Sequence, residues 1–259
     1  MPTYLSVLIH PLYILHRSSY IKTMLKHVPN AMTCGNLLCG CLGILFTMQG
    51  ELVTAAWLII LAGVLDFGDG FVARAVGASG PFGKELDSLA DVVTFGVLPS
   101  FILLQLLRGD TPGQPITFGW PLLSFAIAVC GALRLARFNI DTRQTDQFLG
   151  VPIPANAITA ASFPMIVAFQ PQYAPIVLSP IFLYGYIVIM SLLMVSELPL
   201  MAFKFKSFGW AANQIKYSFL FASVLLIVLL HYAAIPLIIL LYILLSVLTN
   251  QREGSPASH

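Results

Sequence analysis

The chain has 259 residues, of which 58% are apolar and only 9% are charged, and its mean hydropathy is +0.87. Because soluble globular proteins carry about 25% charged residues, this composition excludes an ordinary soluble protein and predicts an all-α integral membrane protein. The formal net charge of +2 gives no support for nucleic-acid binding, which requires a concentrated basic surface.

The first predicted element is an N-terminal segment, residues 1–28. Its apolar run YLSVLIHPLYIL is too short to cross a bilayer, is interrupted by Pro11 and lacks the small-residue cleavage site of a signal peptide. A helix that lies at the membrane surface, ahead of Lys22 and Lys26, fits this pattern better. We therefore predict an N-terminal interfacial helix.

About eight apolar runs of the length that crosses a bilayer follow along the chain. They lie near residues 31–49, 52–76, 83–107, 119–138, 155–171, 175–198, 216–231 and 234–249. The last two are short and share the stretch around His231 to Pro236, so they predict either two spans or a tight helical hairpin. We divide the chain into a six-span core (29–204), a two-helix extension (205–250) and a disordered tail (251–259).

The distribution of basic residues predicts the orientation of the protein. With a cytosolic N terminus and eight crossings, every Lys and Arg of the chain except Arg108 lies at a cytosolic end. Membrane proteins commonly show this asymmetry, because their cytoplasmic loops are rich in Lys and Arg. We therefore predict a protein of the inner (cytoplasmic) membrane with both termini in the cytosol.

The four cysteines, Cys34, Cys39, Cys41 and Cys130, all lie within apolar spans. None has a nearby His or a paired CxxC element, whereas a structural zinc site needs four converging N or S ligands. We therefore predict that they are small buried packing residues and that they form no disulfide.

The second and third predicted spans carry four aspartates: Asp66, Asp69, Asp87 and Asp91. One charge at the centre of a membrane costs about 2.5–3.5 kcal/mol, so four left alone would cost roughly 10–14 kcal/mol. Something must therefore offset them.

Helical spacing indicates how these aspartates are arranged. The second span presents a continuous face made, at i, i+3, i+4, i+7 and i+8, of Asp66, Asp69, Gly70, Ala73 and Arg74. Gly70 and Ala73 project almost no side chain, so a ligand could approach the backbone closely. The third span repeats Gly83, Asp87 and Asp91 at i, i+4 and i+8 on one face.

The short connection over residues 75–81 makes these two spans antiparallel neighbours. Asp66 and Asp91 then lie at similar depth, each about 12 Å from the cytosolic end at 1.5 Å per residue. Asp69 and Asp87 meet about one turn nearer the cytosol. We therefore predict that all four carboxylates converge in a cavity that opens to the cytosol.

A cluster of oxygen ligands without His or Cys suits Mg²⁺ or Mn²⁺. Two divalent ions would neutralise four carboxylates, and a pair about 3.5–4 Å apart stabilises in-line displacement at phosphorus. Arg74, at the cytosolic edge, could contact a phosphate. The residues alone also allow a proton or cation pathway of a transporter, or solvated helix ends.

The stretch from Asp66 to Asp91 reads DxxDGxxARx(8)GxxxDxxxD, and it resembles the signature of the CDP-alcohol phosphotransferase family at every specified position. Further segments are similar to the CDP-diacylglycerol–serine O-phosphatidyltransferase branch of that family: PNAMTCGNLLCG (29–40), FGKELDSLADVVTFG (82–96), RLARFNID (134–141) and FLGVPIPAN (148–156).

This resemblance implies an enzyme that transfers the phosphatidyl group of CDP-diacylglycerol to L-serine, releases CMP and works among membrane lipids as a homodimer. It implies two Mg²⁺ or Mn²⁺ ions held by Asp66, Asp69, Asp87 and Asp91, with Asp91 also serving as the proton acceptor. The residues that it implies for the CDP-linked lipid are Asn30, Thr33, Asp66, Asp69, Gly70, Ala73, Arg74 and Ser79.

The acceptor site is predicted from the chemistry of serine, whose carboxylate calls for a cation. Arg134 and Arg137, three residues apart on one helical face, are the candidates, with Asn139 nearby. Both arginines could instead snorkel to the interface and set the topology. Glycerol 3-phosphate or inositol phosphate would also use arginines, so another acceptor, including inositol or choline, stays open. We interpret Glu197 as an interfacial residue and Glu85 as solvent-facing.

Overall fold

The computed structural model describes residues 26–78, 80–109, 119–141, 148–201 and 209–253. In chain order its elements are α1 (Val28–Met48), α2 (Leu52–Val76), α3 (Pro81–Asp91), a π-helical turn (Val92–Val97), α4 (Leu98–Arg108), a 3₁₀ helix (Trp120–Phe125), α5 (Ala126–Ile140), β1 (Phe148–Leu149), α6 (Ile153–Phe169), a 3₁₀ turn (Pro171–Tyr173), α7 (Ala174–Val177), α8 (Pro180–Val195), β2 (Pro199–Leu200), α9 (Trp210–Leu230), a 3₁₀ turn (His231–Ala233) and α10 (Ala234–Glu253).

Two predicted elements lie at the two ends of the described chain. The predicted interfacial helix falls almost wholly outside the described residues, which begin at residue 26. The predicted tail begins at residue 251, yet α10 continues to Glu253, so its first residues are helical and the rest lies outside the described chain. The short strands β1 and β2 pair antiparallel and join the chain segments that flank α6 and α8.

Helices are present at all eight predicted places, but fewer stretches meet the requirements of a membrane span. Five stretches of the described chain are long and apolar enough, with α9 and α10 counted together as one, and the number becomes six if α6 and the bent segment after it form one broken span. Helix α8 has only 16 residues, slightly fewer than a span needs. A helical integral membrane protein is thus confirmed, whereas the count of eight crossings stays a prediction.

The last apolar stretch, Asn213–Thr249, is a helical hairpin. The ring centroids of Phe219 in α9 and Tyr242 in α10 are 6.1 Å apart. In one straight helix, the same residues would be separated by roughly 35 Å at 1.5 Å per residue. The structure therefore folds α9 and α10 back on each other. With 21 and 20 residues, each is also long enough to cross a bilayer, so the choice between two spans and a short hairpin stays a prediction.

Gln170, just after α6, holds the turn of this hairpin. Its side-chain amide donates to the Leu230 carbonyl at 3.0 Å, and its amide oxygen accepts from the Ala233 N–H at 3.0 Å. Between them His231 adopts a φ of 49°, outside the range of a right-handed helix. The turn thus lies beside the C-terminal end of α6.

The predicted helix over residues 175–198 is shorter and interrupted in the structure. Pro180 is in the first turn of α8, and Ser179 before it is extended, because a residue that precedes proline avoids the helical region. The helix ends at Val195, where Ser196 is again extended. The preceding segment, Pro171–Val177, bends by 112° from α6.

The cysteines are free thiols, but the prediction that all are buried was wrong. Cys39 is buried and Cys130 is half-buried, whereas Cys34 and Cys41 are exposed. Residues of α1 turn by about 100° each, at 3.6 residues per turn, so these two thiols project from the outer face of that helix.

Helix α1 packs closely against the π-helical turn at Gly40. A Cβ atom at this position would contact the Thr94 side chain and lie 3.0 Å from the Thr94 Cα. Glycine therefore allows α1 to approach the segment that immediately follows Asp91.

We expect Gly40→Ala to destabilise the protein by about 1–3 kcal/mol, the usual cost of overpacking a tight interface. A lower thermal unfolding midpoint in detergent would show this. Gly63→Ala in α2 is the matched control, since its Cβ would have no neighbour within 4 Å and alanine favours a helix by up to about 1 kcal/mol. Equal midpoints for the two variants would contradict the role given to Gly40.

The basic residues near the predicted site share one end of the helical bundle. Lys84 in α3 donates to the Asn139 carbonyl at 3.0 Å, and Arg137 in α5 donates to the Val195 carbonyl at 3.1 Å. Arg108 is at the C-terminal end of α4, at the opposite end of the bundle. This arrangement agrees with the charge distribution on which the predicted orientation rests.

Candidate active site

Three carboxylates converge where α2 faces α3. Asp66, Asp69 and Asp87 each offer one oxygen, and these oxygens all lie within 4.8 Å of one another. The first two share a face of α2 because they are three residues apart. Asp87 reaches them from α3, since Gly77 ends α2 with a φ of 65° and Pro81 begins the next helix.

Asp91, the fourth predicted metal ligand, lies outside this group of three. Its side chain is 6% exposed, and Asn36 Nδ2 donates to its Oδ1 at 3.2 Å. It remains close enough to Asp66 and Asp87 to interact with both electrostatically. The structure thus brings three of the four aspartates together and holds Asp91 beside them through Asn36.

The cluster of Asp66, Asp69 and Asp87 fits a divalent metal. Asp87 Oδ1 is buried and has no hydrogen-bond partner, and a buried polar atom without a partner is unfavourable. Oxygen donors from three carboxylates are the ligands that Mg²⁺ and Mn²⁺ prefer. A bound cation would satisfy the unpartnered oxygen and reduce the mutual repulsion of these groups.

A cavity of about 220 Å³, here called the carboxylate cavity, opens beside this group. Most of the residues predicted for the CDP-linked lipid line it: Asn30, Thr33, Asp69, Gly70, Ala73 and Arg74. Asp66 belongs to the cluster of three aspartates but does not line the cavity. Ser79 lies outside the described residues, although its neighbours Ala78 and Gly80 line the cavity.

Contacts between α1 and α2 shape this cavity. Thr33 is buried, and its hydroxyl donates to Asp69 Oδ2 at 2.5 Å. A Cβ atom at Gly70 would meet Arg74 Nη1 at 3.5 Å, so the missing side chain leaves the space in front of the guanidinium open. Lys84 adds a second cation to the lining, and it was not among the predicted site residues.

Asn36 is the main site residue that the sequence analysis missed. It is fully buried; besides its bond to Asp91, its carbonyl accepts from Thr94 Oγ1 at 3.0 Å. Its own Oδ1 is buried without a partner. Its position three residues after Thr33 puts both on one face of α1, and this spacing is the signal that could have identified it.

Arg134, a predicted acceptor residue, is a buried cation. Its side chain is 8% exposed, its guanidinium lies 6.0 Å from the centroid of the Phe138 ring, and its Nε has no hydrogen-bond partner. It also interacts electrostatically with Asp91. An arginine that only snorkelled to the interface would place its guanidinium in water. The burial of the Arg134 side chain therefore favours a binding role.

A second cavity, here called the arginine cavity, has a volume of about 330 Å³. Arg134 and Arg137 line its α5 side, and its other wall is the end of α8. Gly150, with a φ of 69°, donates its N–H to the Leu198 carbonyl at 2.9 Å and so connects the β1 segment to this wall.

Asn139 does not line the arginine cavity. Its Nδ2 donates to Ser88 Oγ at 2.9 Å, and its carbonyl accepts from Lys84. The third predicted acceptor residue therefore links α5 to α3 in this structure, and the two arginines are the ones that the cavity brings together.

Comparison with known proteins gives consistent matches. Residues 26–199 match the family model described as CDP-alcohol phosphatidyltransferase. The chain is 37% identical over 180 residues to a CDP-diacylglycerol–serine O-phosphatidyltransferase of Helicobacter pylori (strain J99), covering 68% of this chain and 72% of the relative. It is 37% identical over 130 residues to the Bacillus subtilis (strain 168) protein of that name, covering 50% of this chain and 71% of the relative.

A further relative is an archaetidylserine synthase of Methanothermobacter thermautotrophicus, 41% identical over 138 residues, covering 52% of this chain and 57% of the relative. The three clustered aspartates, Asp91 and both cavities lie inside the region that matches the family model. The hairpin of α9 and α10 lies beyond it.

Proposed function

Because the chain belongs to the CDP-alcohol phosphatidyltransferase family, we propose that it transfers the phosphatidyl group of CDP-diacylglycerol to the hydroxyl of L-serine and releases CMP. The names of its relatives support serine as the acceptor. The observation that carries the proposal is the convergence of Asp66, Asp69 and Asp87 beside a cavity lined by Gly70 and Arg74.

The donor binds in the carboxylate cavity with its diacylglycerol tails in the surrounding lipid. Arg74 contacts the pyrophosphate, which a guanidinium binds well because it donates two parallel hydrogen bonds. Gly70 and Ala73 let the CDP portion approach the α2 backbone, and Asn30 and Thr33 contact it from α1. Ser79 and the carboxylates Asp66 and Asp69 complete the residues predicted for this ligand.

Asp66, Asp69 and Asp87, with Asp91 as the fourth predicted ligand, would hold two divalent ions, Mg²⁺ or Mn²⁺. When bound, such ions stabilise the negative charge that develops at phosphorus and on the leaving group. Thr33 keeps Asp69 oriented toward its neighbours through their 2.5 Å hydrogen bond. A carboxylate with a fixed rotamer binds a ligand with less loss of side-chain entropy.

Asp91 accepts the proton of the serine hydroxyl. The hydroxyl oxygen forms a bond to the phosphorus that bears diacylglycerol, the bond from that phosphorus to the oxygen of CMP breaks, and CMP leaves. The amide of Asn36 holds Asp91 in place at 3.2 Å. A positioned general base typically contributes about 10²–10⁴-fold to such a step.

The acceptor binds in the arginine cavity. Arg134 presents an unpartnered, buried Nε there, and it interacts electrostatically with Asp91. Arg134 and Arg137 bind the serine carboxylate, and Asn139 remains a predicted acceptor residue through its position at the same end of α5.

The proposal also includes the orientation of the protein in the membrane. The site faces the cytosol at the end of the bundle that holds Arg74, Lys84 and Arg137, which agrees with the positive-inside rule. The inner membrane, cytosolic termini, eight crossings and the homodimer implied by the family resemblance stay predictions.

One assay tests the proposed function. Purified protein in detergent micelles receives CDP-diacylglycerol and Mg²⁺ or Mn²⁺, and CMP release is measured with serine, glycerol 3-phosphate, inositol or choline in turn. We expect release with serine alone. Release only with another alcohol would overturn the acceptor, and cation flux into proteoliposomes without CMP release would favour the transporter that the sequence left open.

A further inference from the structure

The arginine cavity carries charges of both signs. Arg134 and Arg137 line it from α5, while Asp141 at the end of α5 and Glu197 just after α8 add two carboxylates. Two acids in the lining make the cavity less favourable for a ligand that is only an anion, such as a phosphate, because they repel it. An acceptor that bears one positive and one negative group fits this lining.

The cavity also lies at the C-terminal ends of two helices. α5 ends at Ile140 and α8 at Val195, and both residues line it. The C-terminal end of a helix carries a partial negative charge, which stabilises a nearby cation. These helix ends therefore add to the favourable field that Asp141 and Glu197 create for a positive group.

Arg134 and Glu197, which carry opposite charges, lie at different depths in the arginine cavity. Arg134 is 8% exposed and its unpartnered Nε is buried, whereas Glu197 is exposed. A carboxylate would therefore enter first and reach Arg134, and an ammonium group would stay nearer the cavity mouth beside the acids.

We propose that Glu197 and Asp141 bind the ammonium group of the acceptor and so select an amino acid over alcohols that lack an amine. The inference rests on the proposed function and adds specificity residues to it. It replaces our interpretation of Glu197 as a merely interfacial residue. The cavity volume of about 330 Å³ equals roughly ten water molecules at about 30 Å³ each, which is ample for serine.

The test compares Glu197→Gln, Asp141→Asn and the double variant of the full chain in the CMP-release assay. We expect the KM for serine to rise by about tenfold or more in at least one single variant and further in the double variant, as for the loss of a charge-assisted hydrogen bond. The KM for CDP-diacylglycerol should not change. Glu85→Gln is the matched control, because Glu85 is exposed on α3 and lines neither cavity.

An amine-free analogue separates an ammonium site from a general effect on the cavity. Inhibition by 3-hydroxypropionate, which keeps the hydroxyl and the carboxylate of serine, should be equal in the wild-type protein and in Glu197→Gln. Glu197→Asp, which keeps the charge, should retain a KM for serine closer to wild type than Glu197→Gln.

Three outcomes would overturn the inference. An unchanged KM for serine in the double variant would remove any role for the acids, and an equal loss of serine and 3-hydroxypropionate affinity would indicate a structural effect instead. Both outcomes leave the proposed function intact. Wild-type protein that releases CMP only with an alcohol lacking an amine would overturn the proposed function and this inference together.

Discussion

Asp91→Asn should abolish CMP release while CDP-diacylglycerol still binds. The substitution keeps the size of the side chain but removes the proton acceptor, which should lower turnover by about 10²–10⁴-fold. Binding should survive because Asp66, Asp69 and Asp87 form their group without Asp91. Single-turnover CMP release and equilibrium binding of the donor lipid measure the two effects separately.

The exposed acid Glu85 on the same helix provides the control, and Glu85→Gln should keep both binding and turnover. Near-normal CMP release by Asp91→Asn would remove Asp91 from the role of base. If the variant failed to bind the donor lipid, the separation between Asp91 and the group of three carboxylates would have no functional meaning.

Asp66→Asn should lose both metal binding and activity. Asp66 supplies one of three oxygens that lie within 4.8 Å of one another, and an amide binds a divalent cation less well than a carboxylate does. Even partners outside the ligand set change metal affinity by about 10–100-fold, so we expect at least this loss. Mn²⁺ titration followed by electron paramagnetic resonance measures metal affinity independently of turnover.

Glu51→Gln is a suitable comparison for Asp66→Asn. Glu51 is an exposed acid at the opposite end of the same helix, α2, so the substitution changes the charge without touching the carboxylate cavity. Unchanged Mn²⁺ affinity in Asp66→Asn would show that Asp66 is not a metal ligand. The proposed two-ion arrangement would then have to be abandoned.

Much of the site follows from local sequence spacing. Residues three or four apart share a helical face whatever the rest of the chain does, so the face that carries Asp66, Asp69 and Arg74 was predictable. The connection between α2 and α3 is short, with Gly77 and Pro81 as its stop and start signals. It therefore also predicted that Asp87 would face the aspartates of α2.

Other features depend on packing between distant segments. Asn36 binds Asp91 across 55 residues of chain, and a helical period on α3 alone cannot indicate that partner. The reversal at His231 is likewise held by Gln170, far away in the sequence. The apolar pattern of α9 and α10 predicts two helices but does not indicate which distant residue holds the turn between them.

The sequence by itself determined that this is a helical membrane protein and that its aspartates lie on two neighbouring helix faces, because composition and helical period are local properties. Only the tertiary structure decided that Asn36 binds Asp91, that Gln170 holds the turn between the last two helices, and that Glu197 shares a cavity with Arg134. These features depend on which helix ends meet in space, and that is set by side-chain packing between segments far apart in the chain.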